Sequence, residues 1–205
     1  DGIRDIGVTG VQTCALPISG GSVRLLRRLE SFPIELRGGA LTIGNFDGVH
    51  RGHRRIIERM NETAAATGGR TVVVIFDPHP QIVLNTAGRE PLRLLSSIQE
   101  RLRLLAETQV HTTVVLPFTF EFAHTSAEGF IMQYLHRYVG ISHFLVGYDH
   151  TFGKDRSGNE ELLRGLGAAH GFEVERVEPL MLGSVKVSST QIRKAFKEQI
   201  GRAHV

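Results

Sequence analysis

Residues 44–53, Gly44-Asn45-Phe46-Asp47-Gly48-Val49-His50-Arg51-Gly52-His53, decide how the rest of the chain is read. They link a short apolar run, residues 40–44, to a segment of helical periodicity, so the stretch is a strand-to-helix turn. Three glycines let backbone N–H groups approach an anion, and the following helix presents its positive N-terminal end to that point. His50 and His53 add side-chain donors aimed the same way. Near the other end, Ser188-Ser189-Thr190-Gln191-Ile192-Arg193 places hydroxyls and a guanidinium at a second helix start. Two anion-handling helix starts in one chain point to nucleotide chemistry.

Outward from this turn, strands and helices alternate. Apolar runs at 71–76 (TVVVIF), 112–116 (TTVVL) and 143–147 (HFLVG) join 40–44 as strands of a parallel sheet buried on both faces. Between them, residues 52–67 put Ile56, Ile57, Met60 and Ala64 on one helical face. A Ser97-x-x-Glu100 capping box opens a helix over 98–108 that carries Leu102, Leu105 and Ala106. A Thr125-x-x-Glu128 box opens another over 127–139, with Phe130, Ile131, Tyr134 and Leu135 turned inward. This order predicts an α/β fold, a doubly wound parallel sheet whose ligands gather at the carboxyl ends of its strands. Residues 172–177 add an outer strand, 185–187 a short one and 189–198 a final helix.

The 205 residues, 41% hydrophobic and 22% charged, suffice for one well-buried domain. No apolar stretch approaches the length that spans a bilayer. A net charge of +3 with acids and bases interspersed suits anionic small molecules as well as nucleic acid. No basic stripe with interleaved aromatics marks a nucleic-acid surface, however. The single cysteine, Cys14, excludes an internal disulfide framework. Residues 1–21 read as a non-native leader, because residues 8–18 resemble translated adapter sequence, and 199–205 as its counterpart tail, leaving 22–198 as the folded domain. A signal peptide fits poorly, since Asp1 and Asp5 spoil a cationic start and Pro17 interrupts the apolar part. On this reading the absence of a later domain here is not evidence that the natural protein lacks one.

Two further clusters follow strands. Phe76-Asp77-Pro78-His79-Pro80 forms a stiff loop after the second strand, suited to a flat ligand or simply to a turn. The stretch from Val146 through Gly147-Tyr148-Asp149-His150-Thr151-Phe152-Gly153 to Gly158 reads as a polar loop with glycine hinges, or as a solvated turn. His111, His124, His136, His143 and His170 show no ligand spacing and read as structural or surface residues. Phe118, Phe120 and Phe122 fit either a ligand wall or core packing. The first turn lacks both the Walker lysine and the dinucleotide glycine spacing.

What these clusters do match is a family. His50-Arg51-Gly52-His53 is similar to the His-x-Gly-His signature of nucleotidyltransferases. With Gly44 to Gly48, Phe76-x-Pro78-His79-Pro80, Gly147-x-Asp149-x-x-Phe152-Gly153 and Ser188-Ser189-Thr190-x-Ile192-Arg193, the chain resembles the FMN adenylyltransferase module of bacterial bifunctional riboflavin kinase/FMN adenylyltransferases, the FAD synthetases. The resemblance runs from about Val23 to Glu198 and departs at Tyr148 and His150. No Pro-Thr-Ala-Asn motif of the kinase domain occurs, so the chain is expected not to phosphorylate riboflavin.

The resemblance implies a Rossmann-like sheet of the His-x-Gly-His type and the reaction FMN + ATP → FAD + pyrophosphate. It implies His50, His53, Asn45 and Arg193 as catalytic residues. Gly44, Phe46, Asp47, Gly48, Gly52, Asp149, Phe152, Gly153, Ser188, Ser189 and Thr190 would bind ATP. Phe76, Pro78, His79 and Pro80 would bind the flavin. Mg²⁺ would be held mainly by substrate phosphates, with no protein metal site. A cytoplasmic enzyme with ATP and FMN as its partners follows, without nucleic acid, membrane or an obligate protein partner. The alternatives are pantetheine-phosphate, nicotinamide mononucleotide or cytidylyl transfer, or a non-catalytic nucleotide-binding module.

Overall fold

The computed structural model describes residues 24–85, 90–148 and 150–199. The expected leader and all but the first residue of the expected tail lie outside them. Six strands form one all-parallel sheet in the order β1-β4-β3-β2-β5-β6. They are β1 Arg24–Leu26, β2 Ala40–Ile43, β3 Thr71–Asp77, β4 Thr112–Pro117, β5 His143–Gly147 and β6 Glu173–Val177. A small antiparallel ribbon, β7 Met181–Leu182 and β8 Val185–Lys186, follows. The helices are α1 Arg51–Thr67, α2 Pro80–Val83, α3 Ile98–Ala106, α4 Phe120–Ala123, α5 Ala127–Gly129, α6 Glu160–His170 and α7 Ser189–Gln199. A π-helical stretch, Phe130–Val139, continues α5.

Alternate residues of the central strands face opposite cores, as a strand period of two requires. Leu41, Ile43, Val72, Val74, Val114 and Phe144 meet Phe130, Ile131, Leu135, Val139, Leu163 and Leu166 on one side. Ala40, Val73, Ile75, Val115 and Leu145 meet Ile57, Met60, Ala64 and Leu105 on the other. Each large apolar side chain buried this way contributes about 1.5–3 kcal/mol, which is why the inner strands carry unbroken apolar runs.

From β2 the chain winds outward through β3 and β4, and beyond β4 it returns to lay β5 against the other edge of β2. The winding reverses between β2 and β5, which opens a crevice at their carboxyl ends. Residues 44–50 follow β2 there, and Tyr148 and residues 150–153 follow β5.

β1 and α6 were not expected. β1 pairs through only three residues with β4, too short a run to carry a period. α6 carries Gly165 and Gly167, which weaken a helical reading, yet Gly167 is needed because a Cβ there would run into the Phe172 carbonyl. The cap of α5 is Ser126, whose Oγ accepts the Gly129 N–H, so the expected Thr125 box is displaced by one residue. The Ser97–Glu100 box is present in both directions. α3 stops at Ala106, short of residue 108, where Gln109 takes a left-handed φ of 61°. Among the described residues no helix is long and apolar enough to cross a membrane.

Candidate active site

The turn after β2 is held in an uncommon conformation. Phe46 (φ 48°), Gly48 (φ 76°) and Val49 (φ 37°) lie in the left-handed region, where a non-glycine residue is strained. The Asp47 carboxylate holds this shape from inside, with its side chain 2% exposed. It accepts from the Leu95 N–H (2.9 and 3.0 Å), the Ser96 N–H (3.0 Å), the Ser96 Oγ (3.2 Å) and Arg193 Nη1 (2.9 Å). Arg101 Nη2 stands 3.9 Å from Asp47 Oδ1. A buried carboxylate with this many donors is a structural hub, so Asp47 joins α3, α7 and the turn.

Two of the glycine N–H groups in this turn have partners within the fold. The Gly44 N–H donates to the Val74 carbonyl (3.0 Å), and the Gly48 N–H donates to Ser96 Oγ (2.9 Å). Both are engaged within the fold. Gly52 serves a close approach instead: a Cβ there would lie 3.2 Å from the Val187 carbonyl and 3.3 Å from the His50 ring. It lets the start of α1 sit against the segment entering α7.

His50 caps α1, its Nδ1 accepting the His53 N–H at 3.3 Å. An accepting Nδ1 carries the lone pair, which puts the proton of the neutral ring on Nε2 and makes that atom a donor. The two imidazoles stack, with centroids 3.6 Å apart at 15°. Burial lowers the His50 pKa; Asp47 opposes the shift and Arg193 adds to it. His53 is pushed well below the ordinary value by burial first, then by His50 and Arg101. Its Nδ1 is sealed from solvent with no hydrogen-bond partner among the described residues. Both shifts favour the neutral imidazole. His79, 5% exposed, caps α2 by accepting the Gln81 N–H at 3.1 Å, and burial takes its pKa from 6.5 to about 4.

Both rings of the pair face a cavity of about 820 Å³. Its polar end carries His50, His53, Asn45, Ser188, Ser189 and Arg193. Ser188 Oγ accepts the Gln191 N–H (3.3 Å), capping α7, while Ser189 Oγ donates to the Asp47 carbonyl (3.2 Å). Its aromatic wall is Phe76, Phe118, Phe120 and Phe122. Phe76 and Phe118 meet edge to face at 5.6 Å, and Phe118 and Phe122 at 5.7 Å, so both Phe118 and Phe122 line the cavity and pack on the core. Phe120 is 60% exposed at the rim.

Not every expected residue reaches this space. Gly44, Phe46, Asp47, Gly52, Phe152, Gly153, His79 and Pro80 line it, whereas Gly48, Pro78 and Thr190 do not; Pro78 and Thr190 face solvent. Asp149 lies outside the described residues. Gly153 (φ 72°) permits a backbone contact, since a Cβ there would lie 2.6 Å from Ala127 Cα. His124, read from sequence as a surface or structural residue, lines the cavity with its Nδ1 2.8 Å from the Phe120 carbonyl. Lys154, within the polar loop marked in the sequence, and Lys186, which an isolated lysine's lack of motif left unmarked, also line it.

A parallel sheet that reverses beside a histidine-capped helix, with both facing one large cavity, defines a Rossmann-like α/β protein of the His-x-Gly-His nucleotidyltransferase type. The family model for FAD synthetase matches residues 33–191, and the chain belongs to that family. It is 35% identical over 176 residues to the bifunctional riboflavin kinase/FMN adenylyltransferase of Escherichia coli (strain K12), covering 86% of this chain and 55% of that protein. The protein of the same name from Pseudomonas fluorescens is 37% identical over 174 residues, covering 85% and 55%. The chain thus spans about half the length of the curated relatives it matches. Among solved structures, one described as a macrolide-efflux protein from Streptococcus pneumoniae superposes with a TM-score of 0.73 at 26% identity, covering 84% of this chain and 55% of that one. A pantothenate synthetase from Thermus thermophilus shares the fold with a TM-score of 0.52 at 15% identity, covering 87% and 76%.

Proposed function

We propose that the chain transfers the adenylyl group of ATP to FMN, giving FAD and pyrophosphate. The carrying observation is the stacked His50–His53 pair at the head of α1, on a cavity that Phe76, Phe118, Phe120 and Phe122 also line. One end suits phosphates, the other an isoalloxazine ring, and the two meet in a single space.

An FMN phosphate oxygen attacks the α-phosphorus of ATP; the new P–O bond forms as the bond to the β-phosphate oxygen breaks, and pyrophosphate carries away the electron pair. No covalent protein intermediate is needed. The residues position two anions and neutralise the charge that builds on the nonbridging and leaving oxygens. His50 donates from Nε2, the proton its capped Nδ1 leaves there. His53, stacked on it, donates to the same phosphates, and Asn45 joins them from the cavity lining. Ser188, Ser189 and Arg193 hold the β and γ phosphates from the α7 side, and Phe76, His79 and Pro80 the flavin side.

The polar end is rich in donors, which bind phosphate oxygens rather than a cation, so this donor set fits Mg²⁺ held by those oxygens and water, with Asp47, Asp155 and Glu178 the carboxylates among the cavity residues. When bound, the ion supplies charge neutralisation at the leaving pyrophosphate. With soluble anions as its substrates, the reading places the protein in the cytoplasm without an obligate partner.

The test offers the purified chain ATP and Mg²⁺ with FMN, phosphopantetheine or nicotinamide mononucleotide, and separates the products by chromatography. FAD from FMN is the expected product. Adenylylation of another acceptor in preference to FMN, or of none by folded protein, overturns the reading.

A further inference from the structure

Arg101 is the residue in this region whose presence the reaction above leaves unexplained. It stands on α3 with its side chain 2% exposed, and it does not line the cavity. A guanidinium does not give up its proton inside a protein, so a full positive charge is buried there. Its Nε and Nη1 have no hydrogen-bond partner among the described residues. Its nearest carboxylate is Asp47, at 3.9 Å. Packing alone would be served as well by an apolar side chain, because buried ion pairs seldom add net stability.

Asp47 lies between two cations that differ in freedom. Arg193 reaches it at 2.9 Å from α7, is 20% exposed and lines the cavity. Arg101 approaches from α3 and is enclosed. Where a phosphate draws the Arg193 Nη1 away from Asp47, the exchange without Arg101 would leave a buried carboxylate held only by the neutral donors of Leu95 and Ser96. Such a stranded charge opposes the step strongly.

We propose that Arg101 is a positioning residue for the nucleotide: its fixed charge neutralises Asp47 when Arg193 turns to the triphosphate, so ATP recruits Arg193 without stranding a buried carboxylate. This rests on the reading of the cavity as an ATP site. Arg101→Met removes the charge and keeps the bulk; Arg101→Lys keeps the charge. Arg101→Met weakens binding of a nonhydrolysable ATP analogue roughly tenfold or more and raises KM for ATP alike, while KM for FMN stays within about twofold. Arg101→Lys recovers most of the loss. Adding Asp47→Asn to Arg101→Met recovers affinity too, since a neutral amide no longer holds Arg193 back.

Unchanged analogue affinity in Arg101→Met, equal losses for both substrates, or a further loss on adding Asp47→Asn overturns the proposal. Nitrogen-15 NMR of the wild-type guanidinium groups keeps the question open to test even where Arg101→Met fails to fold. The Arg193 signal is expected to move on addition of the analogue while that of Arg101 holds, and an unmoved Arg193 signal also overturns the proposal. Wild-type protein that binds the analogue but forms no FAD removes the reaction and leaves the Arg101 proposal standing; wild-type protein that binds no nucleotide removes both.

Discussion

His50 and His53 are three residues apart and stacked, yet their surroundings give them different work. His50 has a capped Nδ1 and a donor Nε2, whereas His53 is the more deeply enclosed ring. Removing a donor to the reacting phosphates costs about two to three orders of magnitude in rate. His53→Ala is therefore expected to lower the rate of FAD formation by that much while the thermal midpoint changes little; a variant that unfolds, or one that keeps its activity, makes His53 structural. His79 behaves differently because its task is to cap α2. Its pKa falls from 6.5 in the unfolded chain to about 4 in the fold, so below pH 6.5 the unfolded state binds the extra proton first. The stability that depends on a neutral His79 is complete above pH 6.5 and is lost as pH falls toward 4. His79→Asn retains an accepting cap without the titration and should flatten the fall of the melting temperature across that window. A wild-type profile equally flat contradicts the assignment.

The joints between elements depend on contacts from distant parts of the chain. Gly52 brings the head of α1 against the Val187 carbonyl, just before α7. Alanine is the better helix former by about 1 kcal/mol, yet its Cβ would press on that carbonyl and on His50. Gly52→Ala is expected to leave stability within about 1 kcal/mol of wild type and to lower kcat/KM roughly tenfold, because the heads of α1 and α7 move apart. Stability lost with kinetics preserved in the surviving fold would show that the joint does not set the site. Ser97→Ala, which deletes the capping box of α3, should cost about 1 kcal/mol in denaturant melts.

Across the molecule, what the sequence makes legible is what repeats or stays local. The four central strands show as apolar runs because both their faces are buried, and α1, α3 and the α5 segment show through their apolar stripes. β1 is too short to show a pattern, and the glycines of α6 hide its helix because their reason is a neighbouring carbonyl. The histidine pair and Arg193 are marked in the sequence, which leaves Phe118, Phe120 and Phe122 open between a ligand wall and core packing; all of them line one cavity. What stayed hidden is the Asp47 hub, whose partners Leu95, Ser96, Arg101 and Arg193 come from sites far along the chain. Asp47 lines the cavity, and its carboxylate ties Leu95, Ser96 and Arg193 together.

The most direct measurement follows the label of ATP radioactive at the α-phosphorus through a single turnover with FMN. The account predicts that the label enters FAD in step with unlabelled pyrophosphate, and that His53→Ala slows both together. Label released as AMP with FMN unchanged, or folded, nucleotide-bound protein that leaves both substrates intact, would contradict it.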